Sequence, residues 1–192
     1  MADYFAAFLD LRGRRCLVVG GGAIGERKTR DLLECGAHVS VVSPTLTAGL
    51  GELVATGHVH HRARRFRRWD VRGCAVVVAA TGDPHVDEAV AAEARRRHAL
   101  VNVVDDAAHC DFIVPSVLRR GPLQIAVSTS SRSPALAREI RRRLEPLFSA
   151  DLGEVIEEVG RRRASARTMV KTSVARIAAG ERVASLAVAN LR

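Results

Sequence analysis

The run Gly20-Gly21-Gly22-Ala23-Ile24-Gly25 follows the apolar stretch Cys16-Leu17-Val18-Val19 and leads into Glu26-Arg27-Lys28-Thr29-Arg30-Asp31-Leu32-Leu33. An apolar strand, a G-x-G-x-x-G turn and a helix, in that order, form the arrangement that holds the pyrophosphate of a dinucleotide. Gly20 can make the tight turn. Gly22 lets the backbone approach the phosphates, and Gly25 lets the helix pack closely on the strand. Ala23 and Ile24 belong to the same cofactor-binding run, where the first helical N–H groups and the helix dipole favour an anion. The competing reading is a glycine-rich turn without a ligand.

A second group of reactive side chains sits further along. Asp105 closes the apolar stretch Leu100-Val101-Asn102-Val103-Val104. In open α/β sheets ligands bind outside the carboxyl ends of the strands, so a carboxylate there faces the cofactor crevice and can accept a proton. It can equally be a capping aspartate. Asp106 is the weaker candidate, since adjacent residues point apart. Asn102, on the same strand, can hold cofactor or substrate, or be structural. His58, His60 and His61, and separately His109-Cys110-Asp111, are ligand types for metals. Neither has the spacing of a fixed site, and no metal ligand is assigned.

These residues need a scaffold, and the first half of the chain supplies one by alternating strand and helix. Strands are expected at Cys16–Val19, His38–Val42, Val59–Arg62, Cys74–Ala80 and Leu100–Val104. Helices are expected at Glu26–Cys35 and from Pro84 to about His98. Such alternation indicates a parallel sheet with right-handed crossovers. After Asp111 the pattern changes. Phe112–Leu118 and Leu123–Ser128 read as two strands around the turn-forming Arg119-Arg120-Gly121-Pro122. Ser133-Pro134 caps a helix to about Phe148, and Asp151 caps another.

The chain has 192 residues, 47% apolar and 27% charged, with a net charge of +9. Residues 1–112 carry 15 Lys/Arg against 14 Asp/Glu, whereas residues 113–192 carry 15 against 7. The second half should attract an anion. Nucleic acid is disfavoured there, because that half has a single aromatic residue, Phe148, and no recognised nucleic-acid motif. No apolar run reaches membrane-spanning length. Cys16, Cys35, Cys74 and Cys110 are widely separated, with Cys16 and Cys74 expected to be buried. Together with an N-terminus lacking a basic leader, this points to a reducing cytoplasm.

The ordered motifs Val19-Gly20-Gly21-Gly22-x-x-Gly25-Glu26-Arg27-Lys28, Ala79-Ala80-Thr81, Asn102-Val103-Val104-Asp105, Phe112-Ile113-Val114-Pro115-Ser116 and Ala126-Val127-Ser128-Thr129-x-x-x-Ser133-Pro134-Ala135-Leu136-Ala137-Arg138 resemble one family over roughly residues 3–150. It is the precorrin-2 dehydrogenase/sirohydrochlorin ferrochelatase family, which includes the N-terminal part of sirohaem synthase. The resemblance implies an NAD-binding Rossmann domain over residues 1–112, a small α+β dimerisation segment over 113–148 and a basic helical region over 149–192. It implies NAD-dependent oxidation of precorrin-2 to sirohydrochlorin and, in some members, insertion of ferrous iron in the same cavity. It also implies a homodimer and places the catalytic aspartate on Asp105. No methylation is expected.

Within that resemblance, Thr81 and Asn102 fall at the cofactor. Ser43, which ends strand two in Val42-Ser43-Pro44-Thr45, stands where NAD sites often carry an acid for the ribose hydroxyls. A serine can hydrogen-bond a hydroxyl but cannot repel a 2′-phosphate, and no arginine immediately follows to bind one. The family favours NAD. Ser128 and Thr129 border the family's active site and can bind substrate carboxylates, although such hydroxyls also form local turns. Sirohydrochlorin carries eight carboxylates, for which Arg119, Arg120, Arg132 and Arg138 are the basic candidates. Two other classes compete: a nucleotide-sensing regulatory module without catalysis, and a basic nucleic-acid-binding protein on the same core.

Overall fold

Every residue of the first strand except Arg15 is buried, because this strand lies at the centre of a sheet covered on both faces. The computed structural model describes residues 4–169, and the chain divides after Ile113 into two compact units. In the first unit β1 (Arg15–Val19), β2 (His38–Val42), β3 (Val59–Arg62), β4 (Val76–Ala79) and β5 (Leu100–Val103) form a wholly parallel sheet in the order β3-β2-β1-β4-β5. Helices α1 (Ala23–Glu34), α2 (Ala48–Ala55) and α3 (Pro84–Arg96) are the crossovers.

Strand side chains alternate between the two faces. Leu17, Val19, Val77, Ala79, Val101 and Val103 pack with Val90, Ala91 and Ala94 of α3. Cys16, Val18, Val39, Val41, Val76 and Val78 pack with Leu32 of α1 and Leu50 of α2. The register sets Val19 opposite both Val42 and Ala79. The carboxyl ends of β1, β2 and β4 are therefore level, and the loops that follow them converge.

Helix α2 is not legible in the sequence, because Gly49 and Gly51 lower the helix propensity of an eight-residue segment. Thr47 caps it, accepting from the Leu50 amide at 3.3 Å. Cys74 precedes β4 rather than lying in it, so it is only partly buried, unlike Cys16.

In the second unit β6 (Ser116–Arg120) and β7 (Leu123–Val127) form an antiparallel hairpin. Arg119 and Arg120 belong to the strand, and the turn is Gly121-Pro122 alone, with Gly121 at φ +55°. Strand β6 begins after Pro115, four residues later than the pattern predicts. Helix α4 (Pro134–Leu144) stops short of Phe148, since Pro146 has no N–H to continue it. Helix α5 spans Leu152–Met169. Among the described residues, Leu118, Ala137 and Leu152 are the buried apolar side chains of this unit. Residues 170–192 lie outside the described part, and with them the far end of the expected basic helical region.

Candidate functional site

The level strand ends open onto a cavity of about 630 Å³ in the first unit, within the size range of small-molecule sites. Gly20 sits at its floor with φ +117°. Its amide donates to the Val42 carbonyl at 3.0 Å, and the Ala80 amide donates to the Val19 carbonyl at 2.8 Å, so the glycine turn is stitched to both neighbouring strands. A Cβ on Gly20 would stand 2.2 Å from the Ala80 carbonyl oxygen, and one on Gly25 would stand 2.2 Å from the Gly20 carbonyl oxygen. Gly22 differs. A Cβ there would meet nothing within 4 Å and would project into open space.

Gly22 is also the N-cap of α1 and offers no side-chain oxygen to the first helical amides. Unpaired N–H groups at a helix start beside an open cavity suit a phosphate group. Gly21 packs on the loop after β2: its carbonyl accepts from the Thr47 amide at 3.0 Å, and a Cβ there would stand 2.1 Å from the Thr45 carbonyl oxygen. Thr47 in turn donates its hydroxyl to Glu26 of α1 at 2.5 Å. That hydrogen bond and Arg30 hold the Glu26 carboxyl below its ordinary value. The residues present therefore fit a dinucleotide: an open approach at Gly22, uncapped amides, and a loop tied in register beside them.

Of the residues singled out in the sequence, Gly20, Gly22, Ser43 and Thr81 line this cavity. Ser43 is 8% exposed, and its carbonyl accepts from His61 Nε2 at 2.9 Å. Thr81 is less available than its position implies. Its hydroxyl donates to the buried Asp87 at 2.7 Å and accepts from the Asp83 amide at 3.1 Å, so it orders the β4–α3 turn. Ala23 and Ile24 are exposed on the first turn of α1 and do not line the cavity, and Gly25 is buried beneath it.

Asn102 also lies off the cavity. It is buried on β5, donating to the Phe112 carbonyl at 3.0 Å and toward Cys110 Sγ at 3.4 Å. Asp105 stands two residues beyond the end of β5, exposed, with φ +60°. Its carboxylate has no hydrogen-bond partner among the described residues. Asp106 is a cap: it accepts from the amides of Ala108 and His109 and pairs with His109 Nδ1 at 2.5 Å. These hydrogen bonds, the His109 ring first, hold its carboxyl below the usual range. Asp111 pairs with Arg95 at 3.0 Å and accepts from the Val101 amide. Each polar member of the His109-Cys110-Asp111 run thus has a local partner. Among the described residues no three His, Cys, Asp or Glu side chains gather as a metal-ligand set.

The remaining candidates belong to the second unit. Arg119 and Arg138 are exposed, and Arg132 is exposed in the β7–α4 loop. Arg120 donates to the Phe148 carbonyl at 2.9 Å. Thr129 accepts from the Ser133 amide at 3.1 Å and donates to the Ser133 carbonyl at 3.0 Å, while Ser128 accepts from the Ser130 amide. Both hydroxyls stabilise a loop in which Ser130 and Ser131 have positive φ.

The sequence pattern did not reveal Arg65 and Phe66, which line the cavity from the loop after β3. That loop is built around Asp70. Arg62 donates to it at 2.6 Å, Arg64 grips it with two hydrogen bonds at 2.7 and 2.8 Å, and the Arg67 amide adds a fourth at 2.8 Å. Burial pushes the Asp70 carboxyl up, but the Arg64, Arg67 and Arg62 contacts outweigh it and hold it below the ordinary value. The one readable signal was a lone aromatic among arginines in Ala63-Arg64-Arg65-Phe66-Arg67.

Comparison with known proteins accords with this architecture. Residues 7–116 match a family described as putative NAD(P)-binding. Residues 120–146 match the central region of sirohaem biosynthesis proteins. The chain is 45% identical over 154 residues to a siroheme synthase of Nitrosomonas eutropha, covering 80% of this chain and 32% of that one. It is 40% identical over 181 residues to siroheme synthase 1 of Klebsiella pneumoniae, covering 94% and 38%. The chain thus spans about a third of the length of these relatives. Among solved structures it superposes on SirC, a precorrin-2 dehydrogenase, with a TM-score of 0.79 at 26% identity, covering 94% of this chain and 89% of that one.

Proposed function

The chain belongs to the precorrin-2 dehydrogenase/sirohydrochlorin ferrochelatase family, which includes the N-terminal part of siroheme synthase, and from that premise we propose that it oxidises precorrin-2 to sirohydrochlorin with NAD. The observation that carries this reading is the cavity over the carboxyl ends of β1, β2 and β4, with Gly22 opening the approach and the uncapped start of α1 beside it.

The oxidation removes two hydrogens from the tetrapyrrole, one as hydride and one as a proton. When bound, the nicotinamide ring supplies the hydride acceptor. The chain's part is to orient and to take the proton. Asp105, exposed beyond the carboxyl end of β5 and free of local hydrogen bonds, is the proposed proton acceptor. Its neighbour Asp106 is committed to His109. Arg119, Arg132 and Arg138 are the proposed partners of substrate carboxylates, since guanidinium pairs with carboxylate through two parallel hydrogen bonds. Thr129 and Ser128 order the loop that carries Arg132.

Insertion of ferrous iron would require the loss of two pyrrole protons as the metal enters, and Asp105 is the proposed acceptor there as well. The proposed assembly is a homodimer through residues 113–148, in the cytoplasm. The deciding experiment incubates the protein with precorrin-2 and NAD. Conversion of the chromophore with stoichiometric NADH supports the reading. Dinucleotide binding without conversion would make the chain a nucleotide-sensing module instead.

A further inference from the structure

Four features around the cavity bear on which dinucleotide it takes. Ser43, at the end of β2, is neutral, so no carboxylate there opposes a phosphorylated ribose. Arg65 lines the same cavity and makes no ion pair or side-chain hydrogen bond among the described residues. Its neighbours in the loop are occupied: Arg62 and Arg64 grip Asp70, and Arg67 lies over the Trp69 ring at 5.1 Å. Among the described residues lining the cavity, the one carboxylate, Asp83, caps α3, accepting from the His85 amide at 3.0 Å and the Val86 amide at 3.4 Å.

Position matters as much as charge. β3 is hydrogen-bonded to β2 in register, Val42 opposite Arg62. The loop after β3 therefore leaves the sheet beside the loop after β2, where the adenosine ribose of a dinucleotide lies in this type of fold. Asp70 holds the backbone of that loop through the Arg67 amide and the two guanidinium groups, so Arg65 is carried by an ordered segment.

Taking the nicotinamide-dinucleotide reading above as given, we propose that Arg65 recognises a 2′-phosphate on the adenosine ribose, so that the cavity accepts NADP as well as NAD. An arginine beside the ribose is the usual means of accommodating that phosphate, and guanidinium matches phosphate through paired, charge-assisted hydrogen bonds. A neutral serine in place of an acid leaves NAD bound through its ribose hydroxyls while removing the usual barrier to NADP.

The test measures binding of NAD, NADP, AMP and adenosine 2′,5′-bisphosphate by calorimetry to the full chain, the R65Q and R65K variants, and S43D. The wild-type chain should bind NADP within about tenfold of NAD, and the 2′,5′-bisphosphate more tightly than AMP. R65Q should raise the ratio of NADP to NAD dissociation constants about tenfold or more, R65K should restore part of it, and S43D should raise it in the same direction. A wild-type preference for NAD above about a hundredfold, or an R65Q effect that falls equally on both dinucleotides, overturns the proposal and leaves the dehydrogenase reading standing. Failure to bind either dinucleotide overturns both. Thermal melts of each variant show whether a lost ligand reflects a lost fold.

Discussion

Gly20 and Ala80 meet backbone to backbone, so closely that a Cβ on the glycine would stand 2.2 Å from the Ala80 carbonyl oxygen. The contact joins the turn after β1 to the end of β4 and forms the floor of the cavity. Only two residues away, Gly22 has open space where its side chain would be. The two glycines therefore differ in kind: packing requires the first, and nothing packs where the second would carry a side chain.

Substitution separates these roles. G22V should fold normally, because the backbone there (φ −80°, ψ −176°) is open to any residue. Its valine should occupy the phosphate approach and weaken dinucleotide binding at least tenfold. G20A should instead lose stability, about 1–3 kcal/mol for the backbone conformation alone, and more for the clash with Ala80. Calorimetric titration with NAD and thermal melts distinguish the two outcomes, and unchanged affinity in G22V would refute the assignment of this turn.

Asp105 and Asp106 should differ as sharply. D105N keeps a residue that tolerates positive φ, so melting should be nearly unchanged, while dehydrogenation should fall about 10²-fold or more. D106A removes the cap on Ala108 and His109 and the His109 ion pair. It should lower the melting temperature and largely retain turnover. Paired assays of NADH formation and iron insertion on both variants check this. Oxidation near the wild-type rate in D105N would remove Asp105 from the chemistry.

Asp70 predicts an acid-sensitive fold. Its folded carboxyl titrates below the ordinary value of 3.8. Its contribution to stability is therefore complete above that unfolded-state value. It is lost as the pH falls below 3.8 and through the depressed folded value. D70N, which leaves Arg62 and Arg64 without their shared carboxylate, should cost about 3 kcal/mol at neutral pH. It should also flatten the acid limb of the stability profile. Urea unfolding between pH 2 and 7 measures both effects, at roughly tenfold intervals of proton activity per unit.

Among the described residues, the second unit buries few apolar side chains and leaves Leu136, Ile140 and Leu147 exposed at 51%, 38% and 71%. In a dimer through residues 113–148 these apolar side chains would lose water contact. Light scattering at micromolar concentration should give twice the chain mass, and I140E should shift it toward monomer. A wild-type monomer under those conditions contradicts the assembly.

The parallel sheet and its glycine turn were legible in the sequence because they rest on local pattern. Continuous apolar runs mark strands buried on both faces, and glycine spacing marks the turn. Helix α2 was not legible, because two glycines mask it and its support comes from Thr47, Glu26 and Leu50. Nor could spacing show that the Thr81 hydroxyl serves Asp87, or that Asn102 serves Phe112.

Sequence alone thus determined the order of the strands, the cofactor class and the family motifs, since residues adjacent in the chain carry them. Tertiary structure alone decided the membership of the cavity. A residue following β2 was the natural place to look for the group that meets the ribose, yet Arg65 arrives from the loop after β3. It does so because β3 pairs beside β2 and Asp70 gathers two arginines and a backbone amide around itself. Such an arrangement depends on which strands become neighbours and which charges are buried together, and both are settled only when distant segments pack.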